Sequence, residues 1–289
     1  MTKLHIRRNA FGFEILDGER LAALYRASEE LPRSESPKPC FAPIYTSAGG
    51  LVTEYRPADH PWHTGLYFGW VFANGANLWG GPWYLPEKDR YELVEGTHGV
   101  QRHDRFSEID EQDGRPVVEE KLSWLDPADE VMATETRRYQ VSGTGDPLAY
   151  HWDVHTCIEP VGGPLRLGAS RKSHYSGFEL RMGPPFSGAR HRSSEGTSGH
   201  ESIMGQRARW VSAAGAAGGA VVMMDHPDNP RHPVTWFTRA NLLGAGLLMS
   251  GDLEITEGDA LRLRYGFAVL AEEPAPDGVE ALYAAFTSG

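Results

Sequence analysis

Cysteine is scarce in this chain, with only Cys40 and Cys157 among 289 residues. A pair so far apart forms neither a disulfide framework nor a CxxC motif, so a reducing, cytoplasmic setting is the expectation. Positive charge is also short. Lys and Arg number 28 against 39 Asp and Glu, giving a formal net charge of -11. That balance disfavours nucleic acid and anionic membranes as main partners, because both reward a basic face. Long apolar runs are missing too. The most apolar stretch, SAAGAAGGAVVMM at 212–224, is too short and too rich in glycine to span a bilayer. The opening MTKLHIRRNAFGFEIL has no apolar core of the kind a signal peptide needs. No GxGxxG leading into a helix, P-loop, HExxH or GxSxG elbow is present, which weakens nucleotide-dependent and α/β-hydrolase readings.

What the chain does have is turn chemistry between extended runs. Its 33 glycines and 20 prolines are scattered as punctuation, which suits many short strands. LVTEYRP (51–57), LYFGWVF (66–72), ATETRRYQV (133–141) and LAYHWDVHTCI (148–158) all read as strands. FSEIDEQDGRPVVEEKLSWL (106–125) holds a DG pair between two extended runs and predicts a hairpin. Only the tail, DGVEALYAAF (277–286), has helical spacing, with Val279, Leu282, Tyr283 and Phe286 on one face. The expected fold is all-β: one domain over residues 1–289, a large antiparallel β-sandwich with a short C-terminal helix. Residues 184–206 read as a long loop. The local basic run Arg171, Lys172, Arg181, Arg190 and Arg192 stands out in an acidic chain.

Candidate chemistry gathers at five places. DHPWHTG (59–65) puts His60 and His63 around a proline, with Trp62 between them. The proline breaks the ladder, so this is a corner at a sheet end, where a sandwich with a filled core carries its sites. DHPDNPRH (225–232) echoes it with Asp225, His226, Arg231 and His232, followed by Trp236. In YHWDVHTCI (150–158), strand alternation places His151, Asp153, His155 and Cys157 on one face and Trp152, Val154, Thr156 and Ile158 on the other. ANGANLWGGPW (73–83) offers the amides of Asn74 and Asn77 beside Trp79 and Trp83, a pairing suited to a polyhydroxylated ligand. Glu195 sits in a Gly/Ser-rich segment as a candidate acid or base.

DHPWHTGLYFGWVFANGANLW, GFELRMG, SSEG, GQRARWVS, MMDHPDNPRHPVTWF and LRLRYGFAVL together resemble the PmoA-like family, over residues 40 to 272. The family is named after a methane oxygenase subunit, but that activity needs spanning helices which this sequence lacks. The resemblance implies a galactose-mutarotase-like supersandwich, a fold whose members include epimerases, glycoside-active enzymes and lyases. Such enzymes use histidine and a carboxylate on one concave sheet. Family members carry a run similar to GHGDVNG after the first motif. Here FGWVFANG stands in its place, with Trp70 and Ala73 at polar positions.

These readings combine into one expectation: the two DHP corners face each other across a pocket floored by His151, Asp153 and His155. The chain is then an enzyme doing acid–base chemistry on a sugar-like or polyhydroxylated small molecule, by elimination, hydration, hydrolysis or isomerisation. The expected catalytic set is His60, His63, Glu195, Asp225, Arg231 and His232. Substrate contacts fall to Trp62, Asn74, Asn77, Trp79, His151, His155, His226 and Trp236. No cofactor is expected. The first alternative is a divalent metal held by three or more of His60, His63, His151, His155, His226 and His232. The second is a carbohydrate-binding module without catalysis. The sequence does not set the oligomeric state.

Overall fold

The computed structural model describes residues 3–145, 149–169, 172 and 175–288. Two antiparallel sheets carry the fold. The larger has eleven strands. Leu4–Arg8, Gly12–Asp17, Arg20–Arg26, Cys40–Ile44, Leu66–Ala73, Gly177–Arg181, Leu242–Gly246 and Trp236–Arg239 pair in that order. Ala76–Leu78, Leu165–Gly168 and Leu253–Ile255 attach beside them. The smaller sheet has eight, in the order Arg190–Ser193, Trp210–Ala214, Ala220–Asp225, Leu261–Leu270, Ala149–Pro160, Val131–Thr144, Arg115–Leu125 and Val100–Gln112. A separate hairpin pairs Trp83–Leu85 with Arg90–Glu92. The all-β sandwich is therefore as expected.

The DG pair does close a hairpin. Asp113 and Gly114 both have positive φ, 55° and 72°, and link Val100–Gln112 to Arg115–Leu125. Such a turn matches the twist of the strands it joins, and Gly114 takes its φ without steric cost. The tail forms a helix, Pro276–Thr287, which lays Val279 and Tyr283 against Trp210, Val222, Met224 and Ala268. It covers part of the smaller sheet's outer face, and the fork of Arg209 on Glu280 pins it at 3.0 Å on both nitrogens.

Alternation sorts every central strand. Leu66, Phe68 and Trp70 turn into the space between the sheets, as do Phe178, Leu180 and Trp236. There they meet Trp124, Trp152 and Tyr265 from the smaller sheet, with Trp70 and Trp124 rings 5.5 Å apart. One ion pair is sealed in this layer: Arg137 forks onto Glu135 at 2.6 and 2.8 Å with its guanidinium 4.8 Å from the Phe68 ring. The alternate residues, Tyr67, Val71 and Phe237, form a second apolar cluster with Trp79 and Tyr175 on the outside of the larger sheet.

Residues 184–206 are not the open loop expected. Arg190–Ser193 is an edge strand paired with Trp210–Ala214, and His200–Ile203 makes one helical turn. Its alternation is carried by His191 and Ser193, which are buried, rather than by aliphatic side chains. Hydropathy alone does not reveal such a strand. Among the described residues no helix is long and apolar enough to cross a membrane.

Candidate functional site

A cleft of about 400 Å³ opens on the outer face of the larger sheet. Three pieces build it. The corner 59–65, leading into Leu66–Ala73, contributes His60, Trp62 and His63. The segment after Ala76–Leu78 contributes Trp79 and Pro82, and the neighbouring strands supply Arg181, Phe237 and Arg239 with Tyr175 and Asn241. Glycine sets the floor. A Cβ on Gly69 would lie 2.3 Å from Trp79 Cδ1, so only glycine lets the indole lie flat on the strand. Below, the buried Lys38 ammonium donates to the carbonyls of Trp79 at 2.8 Å and Trp62 at 3.2 Å, tying both tryptophans to one point. Burial brings Lys38 down to about 8.

The two histidines stack, with ring centroids 5.1 Å apart at 28°. Their partners differ, and that assigns opposite tautomers. Arg181 Nη1 lies 3.3 Å from His63 Nδ1. A guanidinium only donates, so His63 Nδ1 accepts and the ring proton belongs on Nε2. That Nε2 is buried and has no partner. Burial first, then the charge of Arg181, holds His63 well below the ordinary histidine range, so it is neutral. His60 Nδ1 sits 2.8 Å from the Asp59 carboxylate. A carboxylate accepts, so His60 donates from Nδ1 and keeps a lone pair on Nε2. The hydrogen bond from His60 in turn holds Asp59 below its usual value. One imidazole offers a donor and its neighbour offers a base.

Beneath the floor lies Glu179. Trp79 Nε1 donates to it at 2.7 Å and the Tyr67 hydroxyl at 2.9 Å, while its other oxygen is buried without a partner. Burial pushes its carboxyl up to about 7, against the pull of those two donors. The described lining of the cleft itself contains two guanidiniums and two imidazoles and no carboxylate. In a chain of formal charge -11 that is a local reversal of sign. Arg181 is held by Glu54 at 3.0 Å, whereas Arg239 lies exposed over the Phe237 ring at 5.1 Å.

The second DHP corner is elsewhere. It follows Ala220–Asp225 in the smaller sheet, and no hydrogen bond, ion pair or ring contact among the described residues joins it to the first corner. The expected shared pocket is thus corrected. The second motif directly follows a strand, whereas the first lies in a turn ahead of Leu66–Ala73, so the echo marks two separate turns and not one place. The corner's polar groups are spent on holding it. Asp225 is fully buried and accepts from Asn229 at 2.8 Å, His232 at 2.7 Å and the Val234 amide at 2.8 Å. Arg231 donates to the carbonyls of Leu247, Gly251 and Asp252. Trp236 faces the core and donates to Ala208 O at 2.8 Å, so it lines no cleft.

Other expectations sort in the same way. The strand face His151, Asp153, His155 and Cys157 exists as alternation requires, but it lies on the outer side of the smaller sheet. There Arg264 forks onto Asp153 at 3.0 and 2.8 Å, and His155 and His226 line a separate cleft. His151 lies in a third, brought down to about 4 by burial. The six histidines therefore do not converge, and among the described residues no three His, Cys, Asp or Glu side chains are placed to hold one metal ion. Glu195 is exposed in a turn, bonded to Ser194. Asn74 braces a turn through Arg166 N and Pro164 O, and Asn77 caps the amides of Trp79 and Gly80. Of the basic run, Lys172 pairs with Asp89, and Arg190 and Arg192 pair with Glu273. Arg171 lies outside the described residues.

Sequence reasoning missed Glu179, Tyr175 and Lys38, and noted Arg181 only as part of a basic run. The signal for two of them was present in GFELR, where alternation puts Glu179 and Arg181 on one face with Phe178 and Leu180 on the other.

Comparison with known proteins is sparse. No curated protein matches the sequence. A crystal structure of a heparan sulfate lyase HepC mutant from Pedobacter heparinus aligns with 95% of this chain at a TM-score of 0.41 and 7% identity. The alignment covers 36% of the lyase chain, so this chain spans about a third of its length. A family model matches residues 13–284, and the chain accordingly belongs to DUF6807, a family of unknown function.

Proposed function

We propose that the cleft on the larger sheet performs acid–base chemistry on a small polyhydroxylated molecule of the sugar type. The observation that carries this reading is the stacked histidine pair with opposite partners. His60, oriented by Asp59, presents a basic Nε2. His63, kept neutral and accepting from Arg181, holds an Nε2–H buried at the cleft wall with no partner. A substrate carbon or hydroxyl beside an oxygen then gives its proton to His60 while His63 hydrogen-bonds the oxygen. Negative charge building on that oxygen lies near Arg181, in a lining without carboxylates. Trp62 and Trp79 supply flat apolar faces for a ring. Isomerisation and elimination use such a base-and-donor pair most directly.

The test is solvent exchange. The protein is incubated with a panel of aldoses, ketoses, lactones and simple glycosides in D2O, and deuterium uptake and product formation are read by NMR. Turnover of one panel member is expected, with loss of at least about a hundredfold in His60→Ala/His63→Ala, the ordinary weight of general acid–base groups. Full activity in the double variant removes both residues as catalysts. A binding module without catalysis predicts binding and no exchange.

A further inference from the structure

Past Trp79 the cleft does not end. A second space of about 820 Å³ begins on the far side, and Trp79, Pro82 and Tyr175 line both. The first space is at the small end of the usual range for ligand sites, about 300 to 1,000 Å³, and the second is twice as large. One hairpin spans the two: Tyr91 faces the first lobe, while Trp83 and Tyr84 face the second. The hairpin is braced by Trp83 Nε1 donating to Thr97 at 2.7 Å and by Lys172 over the Tyr84 ring. Phe72, 38% exposed, stands edge-on to Trp83 with ring centroids 6.5 Å apart. Phe72 and the half-buried Trp83 give this wall a partly exposed aromatic face. The second lobe also carries Glu87 and Asp252, both exposed. A carboxylate only accepts, so these two suit hydroxyl donors and repel anions.

We propose that the ligand is a two-unit glycoside, of disaccharide size, which bridges both lobes. This rests on the reading of the first lobe given above. The reacting unit lies against Trp62, His60 and His63. The second unit is an uncharged, hydroxylated ring stacked on Phe72 and Trp83, with its hydroxyls donating to Glu87 and Asp252. The Trp79–Tyr175 pair, 4.5 Å between centroids, is the saddle between them.

Tryptophan fluorescence titration of the full chain tests this with glucose, galactose and xylose, their methyl glycosides, and disaccharides of each. At least one disaccharide is expected to bind about tenfold or more tighter than its matching methyl glycoside. Phe72→Ala and Glu87→Gln, both exposed and outside the core, should erase that advantage and leave the methyl glycoside within twofold. Trp62→Ala should weaken both ligands. If monosaccharide units and disaccharides bind equally, and Phe72→Ala and Glu87→Gln change neither, the two-lobe proposal is overturned while the first lobe's reading stands. If no panel member binds, or Trp62→Ala is without effect, the reading of the first lobe fails and takes this inference with it.

Discussion

Replacing Glu179 by glutamine should change how stability depends on pH, by an amount that can be worked out beforehand. The Glu179 carboxyl is raised from its ordinary 4.5 to about 7 by burial under Trp79. Between those two values the folded chain holds a proton that the unfolded chain has released. Stability therefore falls as pH rises through that window, and the full penalty is present above about 7. At 1.36 kcal/mol for each pH unit, the span from 4.5 to about 7 corresponds to about 3 kcal/mol. Glutamine has no proton to release, so Glu179→Gln lacks this slope. Its amide alters the bonds to Trp79 and Tyr67, but that offset does not depend on pH. Other groups titrate in the same region, including the buried, neutral His151 and His191, each brought down to about 4. They act in both proteins and cancel in the difference. Lys38, at about 8, sets the upper limit of a clean measurement. Urea denaturation followed by tryptophan fluorescence at pH 5, 6 and 7.5 measures the quantity. The stability of the variant relative to the parent should climb by about 2 kcal/mol or more across that range. A difference that stays level, or falls, means that Glu179 is ionised throughout, and the account of the floor is wrong.

Two further outcomes follow from the same geometry. Arg181→Met removes a cation 3.3 Å from His63 Nδ1. A charge at that range is worth about 5 kcal/mol at an effective dielectric of 20, and Glu54 already neutralises part of it. The His63 midpoint should rise, yet stay below the ordinary histidine range, since burial, the larger cause, remains. Nitrogen NMR should also show the parent's ring proton on Nε2 from pH 6 to 8 and a mixture of tautomers in the variant; an unchanged ring breaks the assignment of roles. Gly69→Ala forces Trp79 off the strand, because its methyl would sit 2.3 Å from Cδ1. The cost should be about 1–3 kcal/mol in denaturant, with a changed Trp79 indole N–H signal, and a variant of parental stability and spectrum contradicts the packing described.

The fold was legible wherever a local rule sufficed. The DG turn, the C-terminal helix and the two faces of 151–158 all rest on periodicity or turn chemistry within one segment. The corner 59–65 was legible for the same reason, because its histidines and Trp62 are near in sequence as well as in space. What failed needed long-range information. DHP recurs at 225 because proline turns share their chemistry, and nothing local says beside which sheet a turn lies. Trp236 sits near a polar motif, yet its parity along Trp236–Arg239 sends it to the core and Phe237 to the cleft. Glu179 and Arg181 are 116 and 118 positions from His63, and only the pairing of Gly177–Arg181 with Leu66–Ala73 brings them to the site.

That pairing also explains why the site lies outside the sandwich and not within it. The space between the sheets is closed by tryptophans, and the Arg137 guanidinium there is bonded to Glu135 and Gln101. The smaller sheet carries the C-terminal helix on its outer side. The larger sheet is overlaid instead by the proline corner, the Trp79 segment and the hairpin, which cover without filling. A strand and a corner are then set against each other. The strand holds Glu179 and Arg181 at fixed spacing on one face, and the corner is locked by the amide of His63 on His60 O at 3.0 Å and of Arg56 on His63 O at 2.9 Å. Neither element has to be ordered by a ligand. The positions of His60 and His63 are therefore fixed by the fold, and on the proposed reading the energy of binding remains available for the substrate itself.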